Sequence, residues 1–428
     1  MEGRTAVDDV ALGREAWSVL DANRAGAVTV PAPGLYPHQW NWDSTFVAIG
    51  VSRCDTRRAG TELLSLLTGQ WRTGMVPHIV FGRVFGRGLA DGYFPGPAVW
   101  RSGEHPAAPN GVPTSGLTQP PLHALAVWWM WRHAKDREEA CDLVRRLYPM
   151  LVAQHDYLAT TRDLGGGGLA AIVHPWESGM DDSPVWDTPL DAMAAAPGLQ
   201  EDEPFPDRYV WLAQRYRDSG YDPAYLRAEH PFAVEDPMFN GIWLASCQAL
   251  AELAPLAGAD PAPHQEAAER IRAGLLERLW GGEAFHALDL RSGRLNPMCT
   301  VGGFGPMLDP GLPRDRVAKL VGVLESARFM GAAGYPVPSC EIRAPQFDRS
   351  RYWRGPSWVN TNWLLRRAAA VHGLDGLARL LGVCTLRLVR QAGFRECFDP
   401  FDGSGRGSRD FSWSAALTLD LLADNVEG

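Results

Sequence analysis

The 428 residues, 46% of them hydrophobic, can bury a large core, and acidic and basic side chains are interspersed to a net charge of −9. Without a basic block, nucleic acid and anionic membrane are poor partners, and no apolar run reaches the roughly 18 residues of a membrane-spanning helix. No signal-peptide pattern opens the sequence, and the seven cysteines (54, 141, 247, 299, 340, 384 and 397) form no CxxC pair, so reduced thiols in a cytoplasmic setting are expected.

Residues 6–22 place Val7, Val10, Ala11, Trp17 and Leu20 at roughly helical spacing. A turn-rich stretch ending in Tyr36-Pro37 leads to His38-Gln39-Trp40-Asn41-Trp42-Asp43-Ser44, and an apolar run follows over 45–51. Asp43 has two compatible readings there. It can cap the helix that follows, or its carboxylate can chelate two neighbouring sugar hydroxyls between the rings of Trp40 and Trp42. Residues 57–71 predict another helix. Residues 72–118 have little periodicity and much Gly and Pro, with Pro77-His78-Ile79-Val80-Phe81 and Asp91-Gly92-Tyr93-Phe94-Pro95 inside them. A loop this long with so many aromatic residues predicts a functional insertion.

Gln119-Pro120-Pro121 opens a helix over 122–133. A long amphipathic helix over 137–160 contains Pro149, where a kink is expected. Residues 163–207 form a second long loop. Helices then follow over 208–218, 237–253, 262–280, 313–326, 357–371, 374–392 and 412–424. About a dozen helices with few strands, joined by alternating long and short loops, predict an all-α fold, an (α/α)6 barrel. The expectation is a single catalytic domain over 1–428, with insertions at about 72–118 and 163–207 and its long loops gathered at one end around the site. An α-solenoid is the alternative, and no fixed-period repeat supports it.

The chemistry concentrates in His174-Pro175-Trp176-Glu177-Ser178-Gly179-Met180-Asp181-Asp182-Ser183-Pro184, which follows a glycine run at 165–168. Carboxylic acids beside aromatic rings suit glycoside cleavage. One carboxyl must stay protonated to donate to the leaving oxygen, and the rings cover the apolar faces of a sugar. Several of the seventeen tryptophans (Trp40, Trp42, Trp176, Trp353, Trp358) stand in polar loops, as such a site needs. Trp176 and Met180 would desolvate the Asp181 carboxyl and raise its pKa, and the charge of Asp182 would push the same way.

Four stretches together resemble glycoside hydrolase family 63, in particular its small bacterial members that hydrolyse mannosylglycerate or glucosylglycerate. They are residues 36–44, residues 174–184, the run Tyr352-Trp353-Arg354-Gly355-Pro356-Ser357-Trp358, and Glu396-Cys397-Phe398-Asp399-Pro400 with Phe411-Ser412-Trp413. The resemblance implies an (α/α)6 barrel and an inverting, metal-independent mechanism. It puts the general acid on Asp181, with Asp182 as the competing assignment, and the general base on Glu396. It implies an aromatic sugar wall of Tyr352, Trp353 and Trp358. Other substrate contacts are expected from Tyr36, Trp40, Trp42, Asp43, Tyr93, Gln119, Trp176 and Glu177. Arg215 and Tyr221 would hold the carboxylate of a glycerate, since a guanidinium fork suits that group.

One position departs from the pattern. Asp410 precedes Phe411, where the glycerate-hydrolysing members carry a neutral amide. A carboxylate there would repel glycerate, so a neutral or cationic aglycone is the alternative. No HExxH motif, Cys/His cluster or phosphate loop appears, so neither metal nor cofactor is expected. The expected partner is a small-molecule glycoside, with glucose and mannose undistinguished and a homo-oligomer left open. The competing functions are an inactive sugar-binding barrel, which the intact Asp181 and Glu396 disfavour, and a sugar epimerase, which would need paired histidines where His38, His78 and His174 stand singly.

Overall fold

The computed structural model describes residues 2–82, 93–193, 205–330 and 336–426. Its helices in chain order are α1 (Glu2–Ala22), α2 (Asn41–Val51), α3 (Thr56–Leu67), α4 (Pro97–Trp100), α5 (His123–His133), α6 (Arg137–Thr161), α7 (Asp187–Met193) and α8 (Phe205–Asp218). They continue as α9 (Pro223–Ala228), α10 (Pro237–Leu253), α11 (Ala262–Gly274), α12 (Arg314–Leu324), α13 (Val359–Val371), α14 (Asp375–Ala392) and α15 (Ser412–Val426).

Six of the segments close a ring. α15 packs on α2, α2 on α5, α5 on α10, α10 on a 3-10 run at Val301–Leu308, that run on α13, and α13 back on α15. Outside them lie α1 against α15, α3 against α2, α6 against α5, α11 against α10 and α14 against α13. With α12 after the 3-10 run, outer and inner segments alternate along the chain, which is the expected (α/α)6 barrel.

Side-chain pattern decides which helix goes where. α2 buries every residue from Asn41 to Val51, and α10 buries most of its length. A helix with no solvent face belongs inside a ring of neighbours. α3 buries Ala59, Leu63, Leu66 and Leu67 and turns Arg57 and Thr61 outward, so it takes the outer layer.

The sixth inner segment escapes a helix search, because Gly302, Gly303, Gly305 and Pro306 give it no helical pattern. Contact with α10 explains the glycines. A Cβ on Gly305 would lie 2.6 Å from Cα of Met238, and one on Gly241 would lie 2.4 Å from the carbonyl carbon of Gly305. Backbone meets backbone here, and a side chain would separate the segments.

Helix boundaries follow the sequence closely, with local differences. α2 begins at Asn41 rather than at 45, because Asn41, Trp42 and Asp43 form its first turn. α6 continues through Pro149 as one helix. α7 and α9 are short helices not expected from the sequence.

Both insertions are tied down by short strands. Ile79–Val80 pairs antiparallel with Gln39–Trp40, which draws the first insertion over the start of α2. Ala171–Ile172 is the edge of a four-stranded antiparallel sheet with Val234–Glu235, Leu288–Asp289 and Arg294–Leu295. Residues 83–92 of the first insertion, including Asp91 and Gly92, and residues 194–204 of the second lie outside the described residues. No described helix is long and apolar enough to cross a membrane.

Candidate active site

Two adjoining cavities open where inner helices begin. The smaller, about 50 Å³, is lined by Trp42 and Asp43 from the first turn of α2, Trp413 from α15, and Glu396, Asp181, Gly179 and Phe411 from loops. The larger, about 240 Å³, is lined by His78, Tyr93, Phe94, Pro95 and Trp176. Tyr36, Trp40, Gln119, Asp181 and Tyr352 line both, so these are two compartments of one site. A roomier groove of about 490 Å³ lies elsewhere, between the 166–168 glycines and α11, and shares none of these residues.

Asp181 stands at the waist between the compartments. The turn that delivers it needs Gly179, whose φ is +70° and whose Cβ would fall 2.5 Å from the Trp42 ring. Tyr209 donates its hydroxyl proton to the Asp181 carbonyl, and the Trp186 indole donates to the Met180 carbonyl at 2.8 Å. Although part of Asp181 opens to the cavity, desolvation pushes its pKa up to about 8, and the charges of Asp182 and Glu396 add to the shift. A carboxyl so placed is protonated at neutral pH.

Asp182 is differently employed. Arg351 reaches its two oxygens at 2.7 and 3.1 Å, and Arg354 approaches at 3.0 Å. It lines neither compartment. The two neighbouring aspartates therefore differ in surroundings, Asp181 facing the cavity and Asp182 held by arginines.

Glu396 lines only the smaller compartment. It accepts the Tyr36 hydroxyl at 2.8 Å on one oxygen and the Ser408 backbone N–H at 2.8 Å on the other. Burial raises its pKa, and these two donors oppose the rise. The Tyr352 hydroxyl lies 3.4 Å from that of Tyr36. Asp43, buried at the start of α2, is also pushed up, first by burial and then by the charges of Glu396 and Asp181. It makes no side-chain cap for α2, whose cap position is Trp40.

Of the residues singled out in the sequence, Tyr36, Trp40, Trp42, Asp43, Tyr93, Gln119, Trp176, Asp181, Tyr352 and Glu396 line the two compartments. Five do not. Glu177 is fully buried in a two-pronged ion pair with Arg162, at 2.6 and 2.7 Å, and also accepts the backbone N–H groups of Val173 and Thr118. It fastens the loop rather than facing a ligand. Trp353 and Trp358 are buried and stacked with centroids 3.9 Å apart, behind the Tyr352 ring that faces the cavity. Arg215 is exposed on the last turn of α8, its guanidinium 5.4 Å over the Trp211 ring. Tyr221 is buried with its hydroxyl donating to the Trp100 carbonyl at 2.5 Å and its ring edge-on to Trp71.

Asp410 lines neither compartment, although the adjacent Phe411 lines the smaller one. Asp410 is exposed, with φ of 52°, and its carbonyl accepts the Asn23 side-chain amide at 2.7 Å. The carboxylate of Asp410 is thus not among the described groups that line the larger compartment.

The sequence reading missed His78, Phe94, Pro95, Phe411 and Trp413 as lining residues. Their stretches had been noted for their aromatics, but helical and loop periods carry no signal for which ring faces a cavity. His78 stacks on Trp176 at 5.9 Å, and burial, helped by His174, lowers its pKa well below the usual histidine value, so its ring is neutral.

Comparison with known proteins agrees with this geometry. A family model described as a mannosylglycerate hydrolase MGH1-like glycoside hydrolase domain matches residues 36–414. A mannosylglycerate hydrolase of Thermus thermophilus is 41% identical, over 95% of this chain and 99% of that one. A glucosylglycerate hydrolase of Mycolicibacterium hassiacum is 37% identical, over 96% and 97%. The crystal structure of a family 63 mannosylglycerate hydrolase from a second strain of Thermus thermophilus, in complex with Tris and D-glycerate, superposes with a TM-score of 0.85 at 40% identity, over 95% of this chain and 99% of that one. The chain is a glycoside hydrolase and belongs to the mannosylglycerate hydrolase MGH1-like family, within glycoside hydrolase family 63.

Proposed function

We propose that this enzyme hydrolyses a small α-glucoside or α-mannoside of glycerate with inversion, Asp181 serving as general acid and Glu396 as general base. The observation that carries this is the placement of the two carboxyls. Asp181 is common to both compartments, whereas Glu396 faces only the smaller. With the sugar ring spanning the shared walls and reaching into the smaller compartment, and the aglycone outward in the larger, the glycosidic oxygen falls beside the protonated Asp181. Glu396 is then left to face the sugar itself. It takes a proton from water as the water oxygen attacks the anomeric carbon, while Asp181 gives its proton to the departing oxygen. One water is consumed, and the configuration inverts. Trp42 and Trp413 offer ring surface to the pyranose, and Asp43 accepts from its hydroxyls.

Glycerate is supported by the relatives that hydrolyse its glucosyl and mannosyl derivatives. One observation favours a neutral polyol instead. Among the described residues, the larger compartment offers tyrosine hydroxyls, the Gln119 amide, a neutral imidazole and aromatic faces, but no cation. A hydrolysis screen over glucosylglycerate, mannosylglycerate, glucosylglycerol and trehalose decides. Turnover of either glycerate glycoside at least about 10-fold above glucosylglycerol, a difference of about 1.4 kcal/mol, supports glycerate, and the reverse order rejects it.

Proton NMR of fresh product is expected to show the β-anomer first from an α-linked substrate. An α-anomer appearing first rejects inversion. Tyr36→Phe removes one donor from the Glu396 carboxylate. The acidic limb of the pH–rate profile should then move to higher pH, because a donor to the ionised form holds the pKa down. A kcat loss of about 10-fold is expected beside it. An unmoved limb would detach Tyr36 from the base.

The enzyme is further read as one catalytic domain over 1–428. Its seven free cysteines suit the reducing cytoplasm in which we place it.

A further inference from the structure

The turn at 348–355 is tied to carboxylates close in sequence to each member of the catalytic pair, Asp182 beside Asp181 and Asp399 beyond Glu396, and none of its arginines lines the cavity. It is closed on itself: Asp348 N–H donates to the Arg354 carbonyl at 3.0 Å and Arg354 N–H to the Arg351 carbonyl at 2.8 Å. A Cβ on Gly355 would fall 2.4 Å from the Asp348 carbonyl oxygen, so only glycine lets the two ends of the turn approach this closely.

Three arginines project from this turn. Arg351 and Arg354 grip Asp182, next in sequence to Asp181, and Arg354 also reaches Asp187 at 2.7 Å. Arg349 pairs with Asp399, three residues beyond Glu396, and with Asp402. Arg406, on the strand paired with Cys397–Phe398, reaches the same Asp399 oxygen at 2.6 Å. Despite burial, these two guanidinium groups hold the Asp399 pKa down to about 2, so the link is ionic throughout the neutral range. Just beyond the turn, Ser357 and Phe398 exchange backbone hydrogen bonds at 2.8 and 2.9 Å.

We propose that this arginine turn is the common reference that fixes the spacing of the two carboxyls, with Arg351 and Arg354 as positioning residues for Asp181 and Arg349 as the positioning residue for Glu396. The acid loop and the base hairpin lie more than two hundred positions apart in sequence and do not share an element. An inverting pair must hold a sugar and a water between them, so an error in spacing costs rate directly, about 100-fold for a displacement of the order of 1 Å. Two acidic anchors on one closed turn remove that freedom. The inference rests on the assignment of Asp181 and Glu396 made above.

The test separates proton donation from base catalysis by leaving group. Fluoride leaves without a proton, so an α-glucosyl fluoride needs Glu396 but not the acid, whereas an α-glycoside with an alkoxide leaving group needs both. Arg351→Met should lower kcat on the glycoside by about 10- to 100-fold and leave turnover of the fluoride within about threefold. Arg349→Met should lower both by the same factor. Arg351→Lys should recover part of the loss, since it keeps the charge but not the fork. The Arg351 and Arg349 side chains are 49% and 43% exposed, so neither methionine opens a core cavity, and a melting curve accompanies each variant.

Asp181→Asn is the control. It should lose the glycoside and keep the fluoride, and if it loses both equally, the acid assignment itself fails. If the control behaves and Arg351→Met lowers both substrates alike or neither, the positioning role is overturned while the acid assignment stands.

Discussion

Asp181→Asn is expected to lower kcat on the preferred glycoside by about 10²- to 10⁴-fold, and Glu396→Gln by a similar factor, with folding retained in both. The reason lies in opposite protonation demands. In the proposed mechanism Asp181 works only while protonated, and burial with two neighbouring carboxylates pushes its pKa up to about 8. As the proposed base, Glu396 would work only while ionised, and burial raises its pKa while Tyr36 and Ser408 limit the rise. Activity should therefore fall on the acid side as Glu396 protonates, above the ordinary carboxylate range, and on the alkaline side as pH passes about 8.

The two variants should edit this profile differently. Asp181→Asn removes the alkaline limb from whatever activity remains. Glu396→Gln removes a negative charge that helps hold Asp181 protonated, so the residual alkaline limb should move to lower pH. Stability carries the same signature. A group whose pKa is raised on folding contributes stability that is present below its unfolded value and lost as pH rises through the folded value. The melting temperature of the parent should therefore decline through about pH 8, and Asp181→Asn should flatten that decline. Stopped-assay pH–rate profiles and thermal melts across pH 6–9 measure both. Full activity in either variant would end the proposed mechanism.

The inner helices were legible in the sequence because burial on all sides leaves long apolar runs, as in α10 and α15. The Val301–Leu308 segment was not, since close backbone contact selected glycine and erased the pattern that a helix search uses. The same division runs through the site. That Asp181, Glu396, Trp42 and Tyr36 line the cavity could be anticipated because residue type and motif context point to that chemistry. Residue type does not say which way a side chain points, and here it misled. Glu177 is spent on Arg162, Asp182 on two arginines, and Trp353 on Trp358, each partner supplied by a segment distant in sequence or by the opposite wall of the loop. His78 went unread for the converse reason, since a lone histidine reveals nothing until Trp176 is stacked on it.

Arg162→Met, at the end of α6, should strongly destabilise the fold by cutting the tie to the acid loop, by about 3–5 kcal/mol. Arg162 and Glu177 are both fully buried, and the guanidinium closes two bonds to the carboxylate, one to the Tyr157 hydroxyl at 2.8 Å and one to the Ala171 carbonyl at 3.4 Å. Methionine fills most of the space but leaves Glu177 charged and unpaired in a dry interior. The two backbone N–H groups that remain on Glu177, from Val173 and Thr118, do not offset a lost full charge. Adding Glu177→Gln to Arg162→Met should recover part of the loss, because the amide carries no charge to strand; recovery stays incomplete, since the N–H groups of Thr118 and Val173 meet different oxygens and the single amide oxygen accepts from only one of them. If the deficit came from packing alone, the second substitution would recover nothing. Denaturant midpoints of the two single variants and the double distinguish these outcomes. Activity offers an independent check, since Glu177 sits four residues before Asp181 on the turn that presents it. Within the folded fraction of Arg162→Met, kcat should fall with little change in KM, as expected when the acid is misaimed but the sugar compartment stays intact. A folded variant with parental kcat would show that the pair stabilises the loop without aiming the acid.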